Sequence, residues 1–445
     1  MRHFICFALF CFALFFVIGI VPSHATDATP LTKPNIIVVL ADDLAIGDLG
    51  CYGQQLIQTP HLDRIAKEGM RFTQGYCGTT VCAPSRASLM IGRHVGNSPI
   101  RANRRINNYG QMPLPEGTYT VAKHLKNNGY ATVCGGKWGM GMFDTSGSPL
   151  KMGFDNFYGH NCQLHAHQYF PEYLYDNDKR VALDKKTYAP DFVINHLLQW
   201  IRDHKDQPFF MFFSTTLPHG PLDIDDLGMY ADKNWSKDQK TYAAMCTRLD
   251  THVGMIMSLL KELNLDDNTI IFFSADNGLS LPAPIANFFN SGAGLRGMKR
   301  SMYEGALRNP FLVRWPHRIT ANTVCDTPVA FWDFLPTCAE LSGASIPEDV
   351  PYDGVSLLPL LLGQRTTLDR EALYWELHET KPPIQAVRWQ DWKFVRNGKT
   401  NPIELYDLKT DVGETKNLAV ERPDIIKIGE NLLKTMRTDD PQWSW

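Results

Sequence analysis

A cysteine, a proline and an arginine stand in a spacing that can hold an anion: Cys82-Ala83-Pro84-Ser85-Arg86, followed by Ala87-Ser88-Leu89-Met90. A helix accepts proline in its first turn, so the pattern predicts a helix starting at Cys82. A group at that terminus meets free backbone amides and the positive end of the helix dipole, and Arg86, one turn on, adds a full charge. A small buried cysteine beside a helix cap fits the same residues. Other polar residues each follow a short apolar run at once: Asp42 and Asp43 after residues 35–40, Lys137 after 131–134, His219 after 209–213, and Asp276 with Asn277 after 269–274. Any one of them alone reads as a solvated loop residue. Four such coincidences point to one shared rim.

The elements that must position these residues are legible as short apolar runs alternating with helical patterns. Leu62, Ile65 and Ala66 mark one helix, residues 121–125 another, and 192–201 and 242–263 carry longer helical periodicity. Strands alternating with helices imply a parallel sheet covered on both faces, with ligands outside the carboxyl ends of its strands. From about Thr366 the chain changes character. Trp375, Trp389, Trp392, Phe394 and Tyr406 lie in short segments broken by Gly, Asn and Asp, which predicts a small antiparallel sheet joined through residues 341–363. The expected division is a main domain over 26–365 and a subdomain over 366–445.

The 445 residues are 44% hydrophobic and 20% charged, ordinary for a globular enzyme, and a net charge of −3 offers no broad basic field for nucleic acid. Met-Arg-His, an apolar run over residues 4–21 and Ser23-His24-Ala25 have the layout of a secretory signal over residues 1–25. The run is borderline in length for a membrane anchor. Cleavage and export to the periplasm or beyond is the expectation, with no membrane association afterwards. Of ten cysteines, Cys6 and Cys11 leave with such a signal, and the pairing of the other eight cannot be read from spacing.

Cys-x-Pro-Ser-Arg resembles the signature of the formylglycine-dependent (type I) sulfatases of the alkaline phosphatase-like superfamily. The resemblance extends through Pro34-Asn35-Ile36-Ile37, Ala41-Asp42-Asp43, Gly136-Lys137-Trp138, Pro218-His219, Ser274-Ala275-Asp276-Asn277-Gly278, Gly297-Met298-Lys299, Glu304-Gly305 and Leu405-Tyr406-Asp407-Leu408. It implies an α/β fold with a central mixed, largely parallel sheet flanked by helices. It also implies a maturation enzyme that oxidises Cys82 to an aldehyde, 3-oxoalanine or formylglycine, which would leave an odd number of thiols. Matched by position, Asp42, Asp43, Asp276, Asn277 and the modified Cys82 hold a metal. Three carboxylates and an amide oxygen suit a hard cation, Ca²⁺ over Mg²⁺. In the mechanism the resemblance implies, the hydrated aldehyde attacks sulfur and its second hydroxyl later expels sulfate. Lys137, Lys299 and Arg86 neutralise the sulfate, and His219 with Lys299 meets the leaving oxygen.

One position departs from the pattern. Many members of that family carry a histidine two residues after the lysine of Gly-Lys-Trp, where this chain has Gly139. His165 and His167, in the segment over 161–167, are candidates to replace it or to bind substrate. The aromatic loop over 161–175, with Gln163, Tyr169, Phe170, Tyr173 and Tyr175, either suits a pyranose or packs its aromatics inward, and its resemblance to the loops of exported sulfatases that desulfate polysaccharide fragments implies a terminally sulfated sugar of the galactose or N-acetylgalactosamine type. Two other readings compete: a phosphomonoesterase or phosphonate hydrolase of the same superfamily, and a noncatalytic binding protein on the same fold.

Overall fold

The computed structural model describes Met1 and residues 33–106 and 110–445; the signal-like segment lies outside the described residues. Residues 32–445 form one compact unit. Its large sheet contains β1 (Asn35–Ala41), β2 (Met70–Tyr76), β3 (Ala131–Lys137), β4 (Asn156–His160), β5 (Tyr173–Asp176), β6 (Lys179–Ala182), β7 (Phe209–Ser214), β8 (Thr269–Ala275), β9 (Arg308–Arg314), β10 (Thr323–Cys325) and β11 (Val329–Ala330). The order is β10-β2-β9-β8-β1-β7-β3-β4-β5-β6, with β11 paired to β2. The five strands from β8 to β4 run parallel, and the strands adjoining them at each end, β9 and β5, are antiparallel to their neighbours.

Sequence dictates this centre directly. β1 reads NIIVVLA and β7 FFMFFS, and every residue of both is buried. Such unbroken runs suit strands covered on both faces. Ile36, Val38 and Leu40 enter one core and Ile37, Val39 and Ala41 the other. On one face lies α2 (Cys82–Ile91); on the other α1 (Pro60–Glu68), α4 (Ala189–Asp203) and α5 (Lys237–Glu262), while α3 (Val121–Asn127) joins the α2 side. All ten residues of α2 are buried, and it ends at Gly92, whose φ of 68° returns its amide to the Ser88 carbonyl. Ser236 and Gln239 form a reciprocal capping box that starts α5.

The second sheet is fully antiparallel: β12 (Leu373–Leu377), β13 (Ile384–Trp389), β14 (Trp392–Arg396) and β15 (Glu404–Asp407). Alternation divides its faces. Tyr374, Val387, Phe394 and Leu405 pack with Leu432 and Leu433 of the helix Pro423–Thr435, whereas Trp375, Leu377, Ala386 and Val395 join the core of the large sheet. This sheet also grips the loop that leads into α2. Trp375 Nε1 donates to the Cys77 carbonyl at 3.0 Å, and Thr79 Oγ1 donates to the Glu376 carbonyl at 2.9 Å. Buried Glu376 is held there by Arg101 at 2.7 Å and Arg437 at 2.9 Å. All eight described cysteines are free thiols.

Candidate active site

The carboxyl ends of the parallel strands converge. Ala41 of β1 pairs with Ala275 of β8, so Asp42 and Asp276 leave the sheet side by side, and the Asp276 amide donates to the Ala41 carbonyl at 3.0 Å. Asp43 turns with a φ of 64°, a left-handed conformation that aspartate tolerates better than most residues. That turn sends successive carboxylates to different cations. Asp42 Oδ2 accepts from Lys137 at 2.7 Å, and Asp43 accepts from Lys299 at 2.6 and 2.8 Å. Arg86 reaches up from α2 to donate twice to Asp276 Oδ2, at 2.9 and 2.7 Å, and once to the Lys137 carbonyl at 3.0 Å; it also bonds Ser214.

Cys82 opens α2 in the middle of this set. Its Sγ lies 3.5 Å from Lys299 Nζ, 3.7 Å from Asp42 Oδ1 and 3.9 Å from Asn277 Oδ1. The Asn277 amide nitrogen donates to Asp43 at 2.6 Å. His219 Nε2 lies 3.3 Å from Asp43, and its Nδ1 faces the Gly220 carbonyl. Burial alone would raise the Asp42 carboxyl, but Lys137, His219 and Arg86 outweigh it and hold the group well below the usual carboxylate range. Asp43 is likewise lowered, burial being overcome by Lys299 and His219. Asp276 goes the other way, because burial exceeds the help from Arg86 and Asp42 adds repulsion. Burial pushes the Cys82 thiol up to about 12, against the pull of Lys137 and Lys299, so the unmodified side chain is a thiol at neutral pH.

Ligand atoms of Asp42, Asp43, Cys82 and His219 all lie within 4.8 Å of one another, and they are the single such gathering of histidine, cysteine and acidic side chains among the described residues. With Asp276 and the Asn277 amide oxygen alongside, the donor set is dominated by oxygen and fits a hard dication. Three carboxylates are already balanced by Arg86, Lys137 and Lys299, so a dication leaves the site net positive for an anionic ester.

The histidines flagged by sequence separate. His167 stacks on His219, with ring centroids 4.2 Å apart at 11°, and burial with the charges of Lys137 and His219 lowers it to about 3. His165 instead packs on Tyr173 at 4.4 Å and against His160 at 4.9 Å, away from the nucleophile's contacts. His160 was not singled out by any motif. It ends β4 opposite Lys137 on β3, a placement set by sheet register. Gly139 has a φ of 85°, and a β-carbon there would stand 2.8 Å from Gln163 Nε2, so Gln163 fills the space beside it. Of the loop tyrosines, Tyr169 and Tyr175 turn inward, whereas Tyr173 is half-buried and stacks on His165. Tyr169 is buried and donates to the carbonyls of Thr216 at 2.9 Å and His219 at 2.6 Å, bracing the His219 loop, and Tyr175 is buried on β5. A buried phenol needs a hydrogen-bond partner, and the loop carbonyls supply it.

Residues 34–344 match the family model described as Sulfatase, and residues 297–441 match that of the N-sulphoglucosamine sulphohydrolase C-terminal region. The N-acetylgalactosamine-6-sulfatase of Canis lupus familiaris is 32% identical over 374 residues, spanning 77% of this chain and 68% of its own. The steryl-sulfatase of Mus musculus is 29% identical over 463 residues, spanning 84% and 72%. The solved structure of Ps i-CgsB in complex with k-i-k-neocarrahexaose is 30% identical with a TM-score of 0.82, covering 93% of this chain and 95% of that one.

Proposed function

This chain belongs to the sulfatase family and is a sulfuric ester hydrolase, and from that premise we propose that it desulfates a carbohydrate through a formylglycine made from Cys82, with Ca²⁺ held by Asp42, Asp43, Asp276 and Asn277. The observation that carries this reading is the position of Cys82 Sγ, 3.7 Å from Asp42, 3.9 Å from Asn277 and 3.5 Å from Lys299, on the first residue of a buried helix. Oxidised by a maturation enzyme and hydrated, position 82 supplies the hydroxyl that attacks sulfur. A bound dication supplies Lewis-acid polarisation of the ester oxygens. Lys137, Lys299 and Arg86 hold fixed charge around that point, so little reorganisation is needed as negative charge moves. His219, with its Nδ1 turned to the Gly220 carbonyl, presents Nε2 as the proton donor to the leaving oxygen. His167, stacked on it, takes the proton that a histidine at position 139 would have taken.

Carbohydrate is favoured because one relative is named for N-acetylgalactosamine and one structural neighbour was solved with an oligosaccharide. Removal of residues 1–25 and export belong to the same reading. No helix among the described residues is long and apolar enough to cross a membrane. The test is a panel of matched esters, aryl sulfate, aryl phosphate and singly sulfated galactose, N-acetylgalactosamine and glucosamine, run on matured protein with EDTA and then Ca²⁺. Sulfate release from a galacto-configured sugar, lost in EDTA and restored by Ca²⁺, is expected. A preference for the aryl sulfate over every sugar overturns the carbohydrate assignment, and full activity in EDTA overturns the calcium.

A further inference from the structure

Beside the first turn of α2 lies a cavity of about 190 Å³ whose lining includes Arg104, Arg105, Arg300, Gln163, His167 and Glu379. Its wall is tied to the reaction centre by consecutive hydrogen bonds. The amide of Ala83, the residue after Cys82, donates to Asn103 Oδ1 at 2.9 Å; the Asn103 amide donates to Glu379 at 3.1 Å; and Glu379 accepts from Arg300 Nε at 2.7 Å. The Arg300 amide in turn donates to the Thr80 carbonyl at 3.2 Å, in the loop before the nucleophile. His167 connects the same cavity to His219 through their stacked rings. A group bound here is therefore a neighbour of whatever reacts at position 82.

The cavity's charge is unbalanced. Arg300 and Glu379 neutralise each other. Arg104 and Arg105 are exposed and form no ion pair with any described residue, and the Arg104 guanidinium lies over the Trp443 ring, 5.8 Å from its centroid. Gln163 Nε2, which is buried, has no acceptor among the described groups. Two guanidinium groups with no carboxylate partner among the described residues are complementary to an oxyanion, and the chain as a whole is net negative, so this concentration of positive charge is local.

We propose that this cavity is a subsite for a second anionic group, sulfate or carboxylate, on the sugar chain whose scissile sulfate lies at Cys82. The proposal rests on the carbohydrate reading above and narrows it: the preferred substrate is a multiply charged oligosaccharide. Arg104 and Arg105 supply the charge, and Asn103, bonded to the Ala83 amide, fixes the distance to the nucleophile.

The experiment compares three disaccharides with the same scissile sulfate, one with no other charge, one with a second sulfate and one with a uronic carboxylate, using matured wild type, Arg104→Ala, Arg105→Ala and the double variant. The readout is the ratio of kcat/KM between charged and uncharged substrates, which cancels any general damage to the enzyme. Wild type is expected to favour a charged substrate by about 10- to 100-fold, mainly in KM, and the double variant to bring that ratio near one. Which charged substrate leads identifies the anion. Equal kcat/KM for all three in wild type, or a ratio that survives the double substitution, overturns the subsite. Calorimetric binding to Cys82→Ala repeats the comparison without turnover, and equal affinities for the charged and uncharged sugars overturn the proposal equally. Turnover of an aryl sulfate with none of the disaccharides cleaved or bound removes the carbohydrate reading itself.

Discussion

Replacing Arg86 with alanine removes the one cation among the described residues that faces Asp276 at hydrogen-bond distance. Arg86 and Asp276 are both fully buried, joined at 2.7 and 2.9 Å, and the guanidinium also satisfies the Lys137 carbonyl at 3.0 Å and stands 3.5 Å from Asp42. Breaking a buried pair from one side leaves an uncompensated charge and costs about 3–5 kcal/mol. The Lys137 carbonyl keeps its bond from Ser214 Oγ at 2.7 Å, so the orphan carboxylate accounts for most of the loss. Arg86→Lys retains the charge but has no fork to reach Asp276 and Lys137 together, and should cost less, about 1–3 kcal/mol. Urea unfolding in EDTA, which keeps metal binding out of the comparison, should order the proteins wild type, Arg86→Lys, Arg86→Ala. Adding Asp276→Asn to Arg86→Ala should restore about 1–3 kcal/mol, because the orphan charge is gone. A loss below about 1 kcal/mol for Arg86→Ala, or strictly additive effects in the double variant, refutes the assignment of Arg86 as the partner that makes a buried Asp276 tolerable.

Two further predictions concern the proton carriers and a buried acid. His167→Ala should lower kcat by about 10²- to 10⁴-fold while His165→Ala leaves the chemical step within a few-fold, measured by single-turnover kinetics; the reverse order would move the proton transfer to His165. Asp48 is buried against Tyr242 at 2.6 Å and Ser291 at 2.5 Å, and burial raises it from 3.8 to about 6. Its protonated form is thus favoured by folding, so stability falls as pH rises from about 4 to 6 and is flat above, a loss of about 3 kcal/mol. Asp48→Asn should remove that component from unfolding free energies at pH 4 and 7, and parallel profiles for the two proteins would contradict it.

The parts of the fold that were legible in sequence are those where both faces of a strand are buried. Residues 35–40, 209–213 and 269–274 stand out because no charged residue interrupts them, and the acids and histidine beyond them fall on the rim that a parallel sheet creates. β9 was not legible. It reads RNPFLVR, with a proline at its third position, and its place beside β8 comes from antiparallel pairing that no local pattern announces. Likewise Cys82, Arg86 and Lys299 could be named from motifs. His160 depends on the β3–β4 register, and the support of Tyr169 for the His219 loop depends on a contact across 50 residues. Gly139 was visible as a departure, but only the folded chain brings Gln163 against it.

The central claim is that the nucleophile is a modified Cys82. Peptide mass spectrometry of residues spanning 82, paired with turnover of the same preparation, tests it most directly. Across preparations made with and without the maturation enzyme, specific activity should rise in proportion to the fraction of position 82 carried as formylglycine, and Cys82→Ala should be inactive while remaining folded by circular dichroism. Substantial sulfate release from protein whose Cys82 is wholly unmodified, or from Cys82→Ala, would contradict the account.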